Sequence, residues 1–145
     1  MARFTRGLAI AVGNRLRRDD GVAHNVLESL NDGTDIEKKF VMQLTPELAD
    51  EIRSYDVVVF VDAHVNAKLP VIREVNKVLA PFPLTHVASP AEVVAVARAL
   101  FGFSGKAYVC RVPASDFSEG EGLSERSQGY VKQAAREIDN LVAAV

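Results

Sequence analysis

Two aspartates each follow a segment with the composition of a buried β-strand. Asp20 comes after the apolar residues 8–12 and a turn at Gly13-Asn14, and Asp62 directly follows residues 57–61, which are β-branched except for Phe60. In an open α/β sheet, the loops at the carboxyl ends of the strands converge on the crevice in which ligands bind. We therefore expect the Asp20 and Asp62 carboxylates to face one crevice, with turn formation as the alternative role for Asp62.

A histidine supplies a third side chain with the chemistry of a metal ligand. His86 lies in a predicted loop three residues before Ser89, outside any periodic apolar pattern. Two carboxylates and one imidazole suit a divalent cation of hard to borderline character, and they leave coordination positions for water or substrate. Zinc and nickel both accept such ligands, so the residue types do not choose between them. The sequence thus predicts a metal site formed by Asp20, Asp62 and His86.

The other titratable residues near these segments have structural interpretations. We expect Asp19 to cap the helix that follows it, because an acid there meets unpaired amides and the positive end of the helix dipole. His24 is predicted to be a solvated or helix-capping residue, since no second histidine lies at helical metal-pair spacing. His64 should point to the same side as Asp62 if the strand continues. The single cysteine, Cys110, is expected to pack within a strand.

Two other kinds of site have weak sequence support. Residues 12–14 could begin a phosphate-binding loop, but the segment has neither Gly-x-Gly-x-x-Gly nor a Lys-Ser/Thr pair. A nucleophilic serine lacks the Gly-x-Ser-x-Gly elbow, and Cys110 stands in the middle of a strand-like segment. The metal site therefore remains the better interpretation.

Strand-like and helix-like segments alternate along the chain and must position these residues. Strands are predicted at 8–12, 36–42, 57–61 and 106–112, with a weaker candidate at 69–78. Helices are predicted at 20–30, 46–53, 93–100 and from Ser124 onward. Such alternation predicts one α/β domain over residues 1–145, with a mostly parallel twisted sheet of about five strands and helices on both faces.

Patterns within these segments predict their places in the sheet. Residues 8–12 and 57–61 should be adjacent central strands because their apolar runs are uninterrupted, whereas the mixed polarity of 36–42 favours a place near an edge. Thr45 followed by Pro46 predicts the start of one helix, and Ser89 with Glu92 forms a capping box that starts another.

Composition limits the classes of protein that this chain can belong to. The 145 residues carry a net charge of -2, which gives no basic footprint for nucleic acid. No apolar run approaches the roughly 20 residues of a membrane span, and the first residues lack a signal-peptide core. One cysteine rules out an internal disulfide and fits a reducing compartment. We expect a cytoplasmic protein that binds neither nucleic acid nor membrane.

Four segments resemble the hydrogenase maturation proteases, and together they extend over nearly the whole chain. They are AVGNRLRRDDGV at 11–22, VFVDA at 59–63, THVASP at 85–90 and DFSEGEGLS at 116–124. The chain departs from the usual family pattern at Ala11 and Ala23, which replace glycines, and at residues 43–46, which replace a glycine-rich segment. The sequence at 43–49 is more similar to the branch that serves soluble, nucleotide-coupled hydrogenases.

The resemblance implies an endopeptidase that removes a C-terminal extension from the large-subunit precursor of a [NiFe] hydrogenase after nickel has been inserted. It also implies that Asp20, Asp62 and His86 contact nickel and are the catalytic residues. The nickel would be carried by the substrate, and zinc or cadmium could substitute for it. Two alternatives remain: a non-catalytic nickel-checking protein of the same fold, and a metal-dependent hydrolase of small substrates, which would need a deep enclosed pocket.

Overall fold

A five-stranded sheet forms the centre of the molecule. The computed structural model describes residues 6–31, 35–75 and 88–145. In chain order the elements are β1 (Gly7–Val12), α1 (Val22–Glu28), β2 (Ile36–Val41), α2 (Leu48–Ile52), β3 (Val57–His64), β4 (Val71–Glu74), α3 (Pro90–Leu100), β5 (Lys106–Pro113) and α4 (Glu125–Ala144). A short 3-10 helix, Arg18–Gly21, connects β1 to α1.

The strand order is β2-β1-β3-β5-β4, and every neighbouring pair is parallel except β4 and β5. The predicted adjacency of the two apolar strands is confirmed, because β1 pairs with β3 from Gly7 opposite Val57 to Val12 opposite Asp62. The mixed-polarity strand β2 lies at one edge, also as predicted. The weak candidate at 69–78 forms the antiparallel edge strand β4, and Pro70 precedes it, where proline costs no ladder hydrogen bond.

Helices cover both faces of the sheet, as the alternating pattern predicts. Side chains alternate along β1 and β3, so one set of apolar residues faces each side. On one face α1 and α4 pack with a core that includes Ala9, Val59, Val26 and Ile138. On the other face α2 and α3 pack with a core that includes Ile10, Phe60, Ile52 and Val93. The carboxyl ends of β1 and β3 are thereby held between two packed layers.

Two of the four predicted helix starts agree with the structure. At α3 the Ser89 hydroxyl accepts a hydrogen bond from the Glu92 amide at 3.1 Å, and the Glu92 carboxylate accepts one from the Ser89 amide at 3.1 Å. At α4 the Ser124 hydroxyl accepts a hydrogen bond from the Ser127 amide at 3.3 Å. Among the described residues, none of the helices is both long and apolar enough to span a membrane.

The predicted start of α2 is wrong. We expected Thr45 to cap it, but the helix begins at Leu48 and no side chain caps it. The amides of Leu48 and Ala49 donate to the carbonyls three residues earlier, on Thr45 and Pro46. The chain therefore makes tight turns of the 3-10 kind before the α-helical hydrogen bonds begin.

Candidate active site

Asp62 lies near the carboxyl end of β3, opposite Val12 of β1 and Arg111 of β5. Burial raises the pKa of the Asp62 carboxyl above its ordinary value, and the negative charge of Asp20 raises it further. The charge of Asp20 thus acts on Asp62, although the two residues are far apart in sequence. Asp20 and Asp62 lie at the carboxyl ends of the neighbouring strands β1 and β3, the predicted edge of the sheet.

Asp20 reaches this position because the 3-10 helix folds back over the end of β1. Its carboxylate accepts a hydrogen bond from the Asn14 amide at 2.8 Å. Gly13 adopts a φ of 145°, and a Cβ added there would lie 1.8 Å from the Asp20 carbonyl oxygen. Only glycine permits both this backbone and this approach. The turn at Gly13 is therefore what lets Asp20 stand beside the carboxyl end of β1.

The prediction that Asp19 caps the following helix is wrong. Asp19 is fully buried, and its carboxylate accepts four hydrogen bonds of 2.7 to 2.9 Å from Ser115, Asp116 and Ser124. Helix α1 starts only at Val22 and has no side-chain cap, and Asp19 lies within the 3-10 helix that precedes it. We call Asp19 with Ser115, Asp116 and Ser124 the Asp19 clamp, since it joins the loop after β1 to the loop after β5.

The clamp fixes the charge of Asp19. Burial alone would raise the pKa of the Asp19 carboxyl, but hydrogen bonds from the amides of Ser115, Ser124 and Asp116 outweigh it and hold the pKa far below the usual range. Backbone hydrogen bonds reinforce the connection, from the Arg18 amide to the Gly120 carbonyl at 3.0 Å and from the Gly120 amide to Leu16 at 2.8 Å. Asp19 is therefore a structural residue that is ionised at neutral pH, and it stands immediately beside Asp20 in the sequence.

His24 is buried, so the prediction of a solvated or helix-capping residue is also wrong. Its ring stacks on Phe40 with centroids 5.3 Å apart, and Nε2 lies 2.9 Å from the Gly13 carbonyl oxygen. Burial is tolerated because the ring face packs against an aromatic side chain while one polar ring atom has a hydrogen-bond partner. His24 thus supports the turn that carries Gly13.

The described residues include His64 but not His86. Strand β3 continues through His64, which lines the same cavity as Asp62, as predicted. Its Nδ1 atom accepts a hydrogen bond from the Asn66 amide at 3.2 Å. His86 lies outside the described residues, so the site of Asp20, Asp62 and His86 stays a prediction. Within the described ranges, no three His, Cys, Asp or Glu side chains are grouped to hold a metal ion.

A cavity of about 400 Å³ adjoins Asp62 on the sheet face that α2 and α3 cover. Its described lining includes Asp62, His64, Arg73, Arg111, Val109 and Ser89. Arg73, Arg111 and Ser89 are exposed, so the cavity opens to solvent. An open crevice of this kind suits a peptide segment better than it suits a small molecule that must be enclosed.

Cys110 packs in the middle of β5, as predicted, and is fully buried. Burial raises the pKa of its thiol to about 12, and the negative charge of Glu137 acts in the same direction. A thiol needs its thiolate form to act as a nucleophile. Cys110 therefore cannot supply one in the folded protein.

We expect the folded protein to resist alkylation at Cys110. Iodoacetamide at pH 8 should leave the native chain unmodified, because the thiol is both buried and protonated, whereas the urea-unfolded chain should gain one adduct. Intact-mass spectrometry of both samples is the measurement. Rapid alkylation of the native chain would show that this strand is accessible and would reopen the question of a cysteine nucleophile.

Solved structures with the same fold include several hydrogenase maturation proteases. The hydrogenase maturating endopeptidase HybD from Escherichia coli has a TM-score of 0.74 and 22% identity, over 96% of this chain and 93% of that chain. The [NiFe] hydrogenase maturation protease HycI from Thermococcus kodakarensis has a TM-score of 0.70 and 20% identity, over 96% and 94%. An endopeptidase from Escherichia coli has a TM-score of 0.69 and 19% identity, over 92% and 89%.

The similarity to these three proteins lies in their three-dimensional structures. No protein-family model and no curated relative matches the sequence. The structural matches nevertheless cover more than nine-tenths of this chain, and they agree with the resemblance seen in its sequence segments. The chain has the fold of the hydrogenase maturation proteases.

Proposed function

We propose that this chain is an endopeptidase that removes the C-terminal extension of a [NiFe] hydrogenase large-subunit precursor and recognises the nickel that the precursor carries. The observation that supports this most is the approach of Asp20 to Asp62 at the carboxyl ends of neighbouring strands, beside a crevice open to solvent. Two of the solved proteins named above, which share the fold, are hydrogenase maturation proteases.

The charge of the site suits a cation. Burial is the main cause of the raised pKa of Asp62, and the negative charge of Asp20 adds to it, so a positive charge beside the two carboxylates would offset both costs. Asp20 and Asp62, with His86 as the proposed third ligand, would hold the nickel of the substrate, and zinc or cadmium could take the same donors. A metal bound there would polarise the scissile carbonyl or activate water.

Neither Cys110 nor Asp19 is available as a nucleophile or general base, so the catalytic role is left to Asp20, Asp62 and the metal that they would hold. Cys110 is buried and protonated, so it cannot attack a peptide bond. Asp19 already accepts four short hydrogen bonds, so its carboxylate is not available as a general base. Asp20 accepts one hydrogen bond from the Asn14 amide, which holds its carboxylate in place without occupying both oxygens. By this reasoning Asp20 and Asp62 would position the nickel of the substrate, and the peptide tail next to it would enter the crevice.

The test compares nickel-loaded with nickel-free precursor. Each form is incubated with wild type, Asp20→Asn, Asp62→Asn and the control Asp50→Asn, which changes an exposed aspartate on α2. We expect only wild type and Asp50→Asn to cleave, and only the nickel-loaded form to be cleaved, because the amide variants weaken the cation site. Mass spectrometry of the precursor measures the loss of its extension.

Each other outcome has a distinct meaning. Equal cleavage of the nickel-free precursor would refute recognition of nickel. Cleavage at the wild-type rate by Asp62→Asn would remove that residue from the site. A wild-type chain that binds the nickel-loaded precursor and never shortens it would instead favour the non-catalytic nickel-checking protein.

A further inference from the structure

Two arginines, Arg73 and Arg111, line the crevice. Arg73 pairs with Val109 across β4 and β5, and Arg111 pairs with Val71, so both arginines lie on one face of the sheet at diagonal positions. Neither makes an ion pair or hydrogen bond with any residue that the structure describes. Four other arginines pair with carboxylates, in Arg6–Glu37, Arg15–Glu28, Arg18–Asp116 and Arg53–Asp50.

The neighbours of the two arginines on their own face of the sheet include several apolar side chains. Val71, Val75 and Val109 line the same cavity. Glu74 alternates with Arg73 along β4 and also borders a groove with Tyr108 on the opposite face. The sequence of residues 76–87 contains no aspartate or glutamate. Among the described residues, Asp62 and Glu74 are the acidic side chains that line the cavity, and Asp62 is the one whose strand position shares the face of the two arginines.

The two arginines lie on the same face of the sheet as Asp62 of the candidate active site. Arg111, which lies opposite Asp62 in register, forms no ion pair with it within 4.0 Å. Its positive charge opposes the rise in the Asp62 pKa only as one of the smaller causes. The guanidinium groups thus keep their donors available for a ligand, and a planar guanidinium matches a carboxylate through two parallel hydrogen bonds.

We propose that Arg73 and Arg111, with the apolar residues Val71 and Val109, form a subsite for a peptide carboxylate. The occupant is an acidic side chain, or a terminal carboxylate, of the segment that lies in the crevice. Its identification as the tail of the hydrogenase precursor rests on the proposed function. We call these four residues the arginine subsite.

The register relates the arginine subsite to the reacting bond. Neighbouring strands lie about 4.8 Å apart, and an extended peptide rises about 3.3 Å per residue. Because Arg111 and Asp62 are direct neighbours across β3 and β5, a carboxylate bound at Arg111 stands one or two residues from a peptide bond held at Asp62. The arginine subsite would therefore select substrates with an acid close to the cleavage point.

Peptide binding tests the arginine subsite without any cleavage. The ¹⁵N-labelled full chain is titrated with three acetylated tripeptides: Val-Glu-Val with an amidated C-terminus, Val-Gln-Val with an amidated C-terminus, and Val-Gln-Val with a free C-terminus. We expect at least one acidic peptide to bind about tenfold more tightly than the uncharged one, as one charge-assisted hydrogen bond provides. Tighter binding of Val-Glu-Val would show that the subsite takes an acidic side chain. Tighter binding of Val-Gln-Val with a free C-terminus would show that it takes a terminal carboxylate.

Variants locate the binding. Arg73→Gln and Arg111→Gln should each weaken the acidic peptide roughly five- to tenfold, Arg111→Lys should restore part of the affinity, and Arg136→Gln on the exposed side of α4 should leave it unchanged. Shifted amide signals should fall on β4 and β5. Far-UV circular dichroism checks that the exposed substitutions leave the fold intact.

Three results would overturn the arginine subsite: equal affinity for charged and uncharged peptides, unchanged affinity in both glutamine variants, or no binding by any peptide at millimolar concentration. The cleavage assay distinguishes this failure from that of the proposed function. A chain that cleaves the nickel-loaded precursor but binds no acidic peptide keeps the function and loses the arginine subsite. A chain that binds acidic peptides through Arg111 but cleaves no precursor keeps the arginine subsite and loses the function.

Discussion

Gly13→Ala is expected to destabilise the folded protein by about 3 kcal/mol or more. The new Cβ would lie 1.8 Å from the Asp20 carbonyl oxygen, and the φ of 145° is strained for alanine. Backbone cannot yield as a flexible side chain can, so the 3-10 helix must move away from the end of β1. Urea unfolding followed by circular dichroism measures the loss.

A glycine in open space provides the matched control. Gly129 lies within α4, and a Cβ there would meet nothing within 4 Å. Gly129→Ala should therefore stabilise the protein by about 0.5–1 kcal/mol, because alanine is the better helix former. If Gly13→Ala instead changes stability by less than about 1 kcal/mol, the close approach of Asp20 to β1 is wrong.

Asp19→Asn is expected to cost about 3 kcal/mol or more of unfolding free energy at neutral pH. Asparagine has nearly the same shape, but it loses the charge that four donors surround, and its amide group meets some of those donors with donors of its own. Asp50→Asn, on the exposed surface of α2, should change stability by less than about 0.5 kcal/mol. The same urea titration measures both variants.

Acid should remove the advantage of the wild-type aspartate. The pKa of Asp19 in the folded state lies below its ordinary value of 3.8, so the unfolded chain takes up the proton first. The stabilisation is therefore complete above that ordinary value and declines as pH falls below it. Unfolding measured from pH 7 to pH 2 should show the stabilities of wild type and Asp19→Asn converging. A difference that stays constant to pH 2 would contradict a role for the ionised carboxylate.

Local patterns were sufficient to predict much of the fold. The uninterrupted apolar runs of β1 and β3 reflect burial on two faces, and the Ser89 capping box depends on residues three positions apart. Asp20 and Asp62 could be predicted to approach each other because parallel strands end at one edge of a sheet. The close approach of Gly13 to the Asp20 carbonyl oxygen was not predictable, because it needs one particular backbone conformation and glycine permits many.

Residues whose partners are distant in sequence were not predictable in this way. Asp19 resembles a helix cap locally, yet its acceptor atoms are filled by donors 96 to 105 residues further along the chain. His24 is buried by Phe40, which belongs to another strand. Arg73 and Arg111 resemble ordinary solvated charges of exposed strand positions until the register of β4 and β5 places them on one face.

The Asp19 clamp also limits the order in which the parts of the chain can fold during translation. The loop that carries Asp20 leaves the ribosome early, but the donors that neutralise its neighbour Asp19 are Ser115, Asp116 and Ser124, which follow much later. Before these donors have been synthesised, the Asp19 carboxylate would have no hydrogen bonds to offset the cost of its burial, so the loop would open frequently. A nascent chain could thus build its first strands and helix while the crevice stays unfinished. The crevice would be complete only after β5 and the start of α4 have been synthesised, so partial translation products would lack it.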